Sequence, residues 1–343
     1  MMNKIKVGIL GATGAVGQRF VQLLDNHPYF EVTSLAASDK SSGVLYGDLM
    51  NKKGFLYGKI PEYSKNIKVE ECIPNIDCRL VFSALDSNVA GQIETDFVDV
   101  GYIVSTNSKN HRMDDDVPLL IPEVNPDHLS LIKNKSGYIV ANPNCSTIGM
   151  VLALAPLHKK YGLTKINVVT MQALSGAGYP GVSSMDIIDN VVPYISGEEE
   201  KMQTEPIKIL GDLKNGRINY AEIDINAQCN RVHVSDGHLE SISFGLKNKI
   251  SIEEIKQTLS EFNPLKDMNL PSSPEQPIII RDERPQPKKN RMEGNGMSCV
   301  VGGIREDNVL GYNLVVLSHN TIRGAAGGAI LNAELLYKKG LIK

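Results

Sequence analysis

Cys145 is the residue best placed for covalent chemistry. It stands in Asn142-Pro143-Asn144-Cys145-Ser146-Thr147, directly before an apolar run, 148–157, that reads as a helix. A thiol in the first turn of a helix feels the positive end of the helix dipole, which favours its thiolate. The thiolate is the form that attacks a carbonyl near neutral pH. The other four cysteines, Cys72, Cys78, Cys229 and Cys299, sit in apolar strands or plain loops and read as structural. A second constellation is Arg231-Val232-His233-Val234-Ser235-Asp236-Gly237-His238-Leu239-Glu240, which reads as strand, Asp-Gly turn, strand. A two-residue hairpin would set Ser235 opposite His238 and gather Arg231, His233, Ser235 and His238 on one face. An Arg beside a His suits a substrate with both a carboxylate and a reacting carbonyl. The guanidinium grips the carboxylate with two parallel hydrogen bonds, and the imidazole moves protons near neutral pH. A solvated hairpin face carries the same residue types, so the pattern alone leaves both readings open.

The N-terminal run Ile5-Lys6-Val7-Gly8-Ile9-Leu10-Gly11-Ala12-Thr13-Gly14-Ala15-Val16-Gly17 is a strand, a glycine-rich turn and a helix start. It is a relative of the dinucleotide fingerprint. Gly11 and Gly14 let the backbone turn tightly against a pyrophosphate, and Thr13, Ala15 and Val16 bring free N–H groups and the helix dipole to the same anion. An acidic residue at the end of the second strand would bind the adenosine ribose and favour NAD. Here the run is Ala36-Ala37-Ser38-Asp39-Lys40-Ser41-Ser42-Gly43. Ser38, Ser41 and Lys40 can meet a 2′-phosphate, whereas Asp39 argues the other way unless it points outward. The balance predicts NADP as cofactor.

Elements must position these residues. Strands are expected at 5–10, 31–37, 80–84 and 102–105, with helices at 15–25 and 88–98 between them. Strands alternating with helices imply parallel βαβ units and a doubly wound sheet. After Asn142 comes a long apolar helix, 146–161, followed by β-branched runs at 166–171, 223–234, 239–244, 297–304 and 314–318, which suggest a mixed or antiparallel sheet. Residues 197–211 read as a charged helix or loop, and 281–296 as a loop. The C-terminal helix, 320–338, carries Gly324, Ala325, Ala326, Gly327, Gly328 and Ala329. Glycines weaken a helix interior, so this stretch points either to tight helix packing or to the close approach of another backbone or a ligand. The expected class is α/β. A Rossmann-type parallel-sheet domain would span 1–143, with residues 320–343 packing back on it. An α+β catalytic and oligomerisation domain with a mixed sheet would span 144–319.

Composition limits the rest. The chain has 343 residues, of which 42% are hydrophobic and 22% charged, with 36 basic and 39 acidic side chains giving a net charge of −3. That balance favours neither nucleic acid nor an anionic membrane as partner, so any anion site must be local. No apolar run reaches the roughly 18 residues that span a bilayer, and a strand begins too early for a signal peptide to precede it. A cytoplasmic protein is expected. Five scattered cysteines make no zinc site or disulfide framework, and no metal is expected.

The run 142–147 resembles the nucleophile motif of the aspartate-semialdehyde dehydrogenases. Related reductases that act on N-acetylglutamyl phosphate typically carry Gly before the cysteine, so Asn144 favours the aspartyl branch. The resemblance covers essentially the whole chain and implies NADPH-dependent reduction of L-4-aspartyl phosphate to L-aspartate 4-semialdehyde, with release of phosphate. It implies Cys145 as nucleophile and Gln172 as the residue orienting substrate beside it. The family has an Arg followed seven residues later by its acid/base His, which Arg231 and His238 match; His233 is the alternative and reads as structural. Glu199, in the run Glu198-Glu199-Glu200, matches the amine ligand. Lys201 and Arg112 match phosphate ligands, and Ser175, Gly176 and Asn320 match contacts near the nicotinamide. Partners so implied are the small substrate, phosphate and further copies of the chain, as a homodimer or homotetramer. Residues 175–193 and 284–296 resemble the archaeal- and fungal-like branch, which also includes malonyl-CoA reductases. An acyl-CoA reductase using the same cysteine is therefore the nearest alternative. A silent dinucleotide-binding scaffold would have no need of Cys145, Gln172, Arg231 and His238 together.

Overall fold

The computed structural model describes residues 4–342. Residues 1–3 and 343, the two ends of the expected Rossmann-type domain with its returning C-terminal segment, lie outside the described residues. Two six-stranded sheets organise the chain. The first contains β1 (Ile5–Leu10), β2 (Phe30–Ala37), β3 (Glu70–Glu71), β4 (Leu80–Ser83), β5 (Ile103–Thr106) and β6 (Tyr138–Ala141). Their order is β3-β2-β1-β4-β5-β6 and every pairing is parallel. This is the doubly wound arrangement expected from the alternating pattern. β4 and β5 are buried along their whole length, because a parallel sheet is covered on both faces and its strands read as unbroken apolar runs. β6 went unrecognised in the sequence because Tyr-Ile-Val-Ala is short and runs straight into Asn-Pro-Asn.

A small antiparallel ribbon, β8 (Asp212–Lys214) and β9 (Arg217–Asn219), stands apart. The second large sheet follows β7 (Leu163–Gln172) with β10 (Asp224–Arg231), β11 (His238–Leu246), β12 (Ile278–Arg281), β13 (Cys299–Asp307) and β14 (Gly311–Ser318), in the order β10-β7-β11-β14-β13-β12. It is mixed. β10 runs parallel to β7, and β11 antiparallel to both β7 and β14. The expected hairpin at Asp236-Gly237 is therefore wrong. β7 lies between β10 and β11, and residues 232–237 carry the chain across the end of β7 instead of folding it back on β10. Gly237 supplies the positive φ of +98° for that turn. Arg231 consequently pairs with Gln172, while Leu239 pairs with Met171 from the opposite side. His233, which the hairpin would have placed beside them, is exposed.

The helix Cys145–Tyr161 has twelve buried residues, Ser146 through Leu157. A helix that is apolar on every side belongs in a core. It packs in one hydrophobic cluster with Val81, Val104 and Ile139 of the first sheet and with Val168, Ile242 and Val316 of the second. The C-terminal segment opens with a π-helical turn, Ile322–Ala326, and continues as the helix Gly327–Lys338. Its Ala329, Ile330, Leu331 and Leu335 pack with Val7, Ile9 and Phe82 of the first sheet and with Phe20 of the helix Ala15–Leu23. Among the described residues no helix is long and apolar enough to cross a membrane.

Candidate active site

Asn144 starts the nucleophile helix. Its Oδ1 accepts hydrogen bonds from the backbone N–H groups of Ser146 and Thr147 at 3.0 and 3.2 Å, which satisfies two of the free donors of the first turn. Cys145 is thereby fixed as the first helical residue, at the mouth of a cleft. Its Sγ lies 3.2 Å from His238 Nε2.

The end of β7 sets what surrounds the thiol. Ala173 donates its N–H to His238 Nδ1 at 3.0 Å and accepts from Arg231 Nη1 at 2.8 Å. One residue thus orients both side chains that flank β7. Because Nδ1 accepts that bond, the neutral imidazole carries its proton on Nε2 and presents it to Sγ. Gly176 makes room for the pair. A Cβ there would fall 2.7 Å from Arg231 Nη1 and 3.1 Å from His238 Cε1. From the other side Gly324, in the π-helical turn, leans on the nucleophile; a Cβ would lie 2.7 Å from Cys145 Cβ. Close approach to Cys145 thus accounts for Gly324, whereas Gly327 and Gly328 give room to the Met297 and Asn142 side chains and to their own helix.

The charge balance differs from the expectation for a helix N-terminus. Burial, reinforced by the Glu198 carboxylate, pushes the Cys145 thiol up to about 12, while Arg231, Arg112 and Lys201 pull the other way. Burial and the neighbouring Arg231 push His238 down to about 3. Cys145 and His238 therefore face each other as a neutral thiol and a neutral imidazole, and the dipole alone does not make a thiolate.

Within Glu198-Glu199-Glu200, Glu198 is the residue in the cleft. Its Oε1 accepts from Asn144 Nδ2 at 2.6 Å and Gln172 Nε2 at 3.3 Å, and its Oε2 accepts from Lys201 Nζ at 2.8 Å. Burial would raise this carboxyl, but the Lys201 charge and the bonds from Lys201 and Asn144 hold it below the ordinary carboxylate value. Glu199 faces away and accepts from the backbone N–H of Cys229 at 3.1 Å. The glutamate that faces the cleft is thus Glu198, one residue before the position expected to meet a substrate amine. Adjacent residues on a helix point about 100° apart, and three identical side chains hide which one faces inward. Arg112 reaches the cleft from the loop after β5, with its Nη1 on Glu205 and its Nε buried without a partner.

The cleft, about 660 Å³, runs from Cys145 to the carboxyl ends of the first sheet, where ligands of doubly wound folds bind. Gly11, Thr13, Gly14, Ala15 and Val16 line one end. Gly14 caps the following helix with no side-chain bond, so the first-turn N–H groups remain available to a pyrophosphate. Ser38 lines the cleft, and Asp39 turns aside to accept from the Lys40 backbone N–H at 2.8 Å. Ser41 does not line the cleft. It is buried and accepts from Lys53 Nζ at 3.2 Å. Ser175 and Gly176 border the cleft beside the thiol, and Asn320 fixes them, donating to Ser175 Oγ at 2.8 Å and accepting from Gly237 N–H at 2.9 Å. Gln172 and Arg231 lie one layer behind the opening, both buried. Asn144, Lys109 and Thr321 line the cleft and escaped the sequence reading of the site. Only Asn144 had a signal, as the cap residue of a predicted helix. Among the described residues no group of His, Cys, Asp and Glu side chains could hold a metal ion.

Two family models match the chain: "Semialdehyde dehydrogenase, NAD binding domain" over residues 6–132 and "Semialdehyde dehydrogenase, dimerisation domain" over residues 154–323. The aspartate-semialdehyde dehydrogenase of Archaeoglobus fulgidus is 48% identical, covering 99% of this chain and 100% of its own. That of Candida albicans is 45% identical over 99% and 100% of the two chains. A crystal structure of aspartate semialdehyde dehydrogenase with NADP from Candida albicans superposes with a TM-score of 0.92 at 43% identity, covering 99% of this chain and 100% of that one. A Vibrio cholerae aspartate semialdehyde dehydrogenase II complexed with ASA superposes at 0.79 and 27% identity, covering 98% and 99%.

Proposed function

The chain belongs to the semialdehyde dehydrogenase family, and from that premise we propose that it is an NADP-dependent oxidoreductase converting L-4-aspartyl phosphate to L-aspartate 4-semialdehyde. The observation that carries the reading is the Cys145 Sγ–His238 Nε2 contact of 3.2 Å at one end of the dinucleotide cleft. NADPH, when bound along the glycine loop, supplies the hydride.

The chain's own residues do the rest. Cys145 Sγ attacks the acyl carbon, the bond to the phosphate oxygen breaks, and phosphate leaves with the thiol proton. The result is a thioester on Cys145. After hydride reaches its carbon, the hemithioacetal oxyanion collapses, releasing aldehyde and thiolate, which regains a proton from solvent. His238 Nε2–H is aimed at Sγ and donates a hydrogen bond first to the thiolate and then to the oxygen developing charge on the same carbon. Its low pKa suits that role, since the ring stays neutral at physiological pH. A thiol held up to about 12 needs help to ionise. Arg112, Arg231 and Lys201 already favour the thiolate, and the Glu198 carboxylate that opposes it is offset once a substrate ammonium pairs with it.

Arg231 grips the substrate carboxylate, Glu198 takes the amine, and Lys201 with Arg112 takes the phosphate. Gln172, which donates to Glu198, orients the substrate beside Cys145. Ser38 and Lys40 make NADP the preferred cofactor. The family's dimerisation domain makes the protein a homo-oligomer, here a homodimer or homotetramer, working in the cytoplasm in biosynthesis of lysine, threonine and methionine. The test is NADPH production from aspartate semialdehyde and NADP⁺. Sustained production beyond one equivalent per active site should require phosphate, and malonyl-CoA should not be reduced. Multiple-turnover NADPH production without phosphate, or preferential reduction of malonyl-CoA, would remove the reading.

A further inference from the structure

One carboxylate that addresses no substrate joins the two sides of the cleft. Glu205 lies two turns beyond Glu198 on the helix Glu198–Ile209 and is 2% exposed. Its Oε2 accepts from the backbone N–H of Asn144, the nucleophile's cap residue, at 2.7 Å. Its Oε1 accepts from Arg112 Nη1 at 2.8 Å. Arg112 is borne by a different part of the chain, the loop that leaves β5 of the first sheet. Its Nη2 donates to the carbonyl of Asn107 at 2.8 Å. One turn past Glu205, the buried Lys208 donates to the carbonyls of Arg112, Asp114 and Val117 at 2.8, 2.7 and 2.9 Å, tying down the same loop. Glu198, Lys201, Glu205 and Lys208 are spaced by three, four and three residues, so they share one helix face. That face touches the cleft with its first two members and holds the backbone of the cleft with its last two.

We propose that Glu205 is a positioning residue for the phosphate site: it holds the Arg112 guanidinium in fixed register with the cap of the Cys145 helix. The proposal rests on the reading of Arg112 as a phosphate ligand. Both carboxylate oxygens are occupied by donors, so an amide cannot replace them. In Glu205→Gln, one oxygen remains to accept and an NH₂ confronts either Arg112 or the Asn144 N–H. Arg112 is the mobile partner and moves.

Two readouts test this on the full-length enzyme. In Glu205→Gln the KM for phosphate should rise roughly 10- to 100-fold, the loss of one charged hydrogen bond. The aldehyde KM and the NADP Kd should stay within about twofold. Phosphate protection of Cys145 from iodoacetamide, which needs no turnover, should shift to higher phosphate concentration by a similar factor. Glu205→Asp, which keeps the charge, should recover part of both. If the wild type turns over repeatedly without phosphate, the functional reading fails, while the protection assay still judges Glu205. A folded Glu205→Gln whose phosphate midpoint stays within twofold of wild type overturns the proposal. So does a parallel loss of phosphate, aldehyde and NADP affinity, or failure of both variants to fold, because each would make Glu205 a structural residue only.

Discussion

The reactivity of Cys145 depends on competing local terms. A helix N-terminus lowers a thiol pKa, yet burial and Glu198 raise this one to about 12. Iodoacetamide labelling of the ligand-free enzyme should therefore accelerate steadily with pH through 9, with Cys145 labelled first. A plateau centred near neutrality would mean that the resting enzyme already holds the thiolate. Glu198 and Glu199 give a sharper residue-scale test. Glu198→Gln removes a charge from the cleft and should lower kcat/KM for the aldehyde roughly 10- to 150-fold, as expected for a lost charged contact of about 1.5–3 kcal/mol. Glu199→Gln removes an acceptor for the Cys229 backbone and should stay within about threefold. Reversal of that order would return the amine contact to Glu199. Cys145 is distinctive in the sequence by its place at a helix start, whereas Arg231 and His238 are singled out by the family resemblance, their pattern alone fitting a solvated face equally well. The sequence reading missed the facing glutamate because helix phase within a uniform run has no local signal.

At the scale of elements, the loop after β2 decides between cofactors. Ser38 faces the cleft, Asp39 is turned back onto the Lys40 backbone, and Ser41 is turned toward Lys53. With the acidic side chain so engaged, kcat/KM should favour NADP over NAD by at least tenfold. Equal use of NAD would show that Asp39 swings to the ribose. The parallel sheet was readable because strand–turn–helix alternation is encoded locally. The placement of β10 and β11 on opposite sides of β7 was not. An Asp-Gly pair flanked by β-branched residues favours a hairpin, and only pairing with β7, some sixty residues earlier in the chain, directs the chain across instead. That crossing brings Arg231 and His238 to Ala173 from opposite sides. The sequence had placed the right residues together for the wrong geometric reason.

For the whole molecule, the C-terminal segment closes the site from behind. Arg323, 1% exposed, donates through both Nη atoms to the Glu123 carboxylate at 2.7 Å each, and the next residue, Gly324, touches Cys145. Nothing in the local sequence links positions 123 and 323, so this tie was not legible before the fold. Arg323→Leu strands a buried carboxylate and should cost about 3–5 kcal/mol in chemical unfolding; a loss under about 1 kcal/mol would show that the pair is dispensable. The sheets, the cap and this closure together hold the Cys145 thiol at the mouth of the cleft, where the proposed mechanism has it carry the acyl group between phosphate and hydride. The most direct test mixes enzyme with aspartate semialdehyde and NADP⁺ in the absence of phosphate, quenches with acid, and measures intact and peptide mass. One aspartyl group should appear as a thioester on the peptide containing Cys145, together with one equivalent of NADPH, and phosphate should remove it. NADPH formed with no mass on Cys145, or with the adduct on Cys229 or Cys299, would contradict the account.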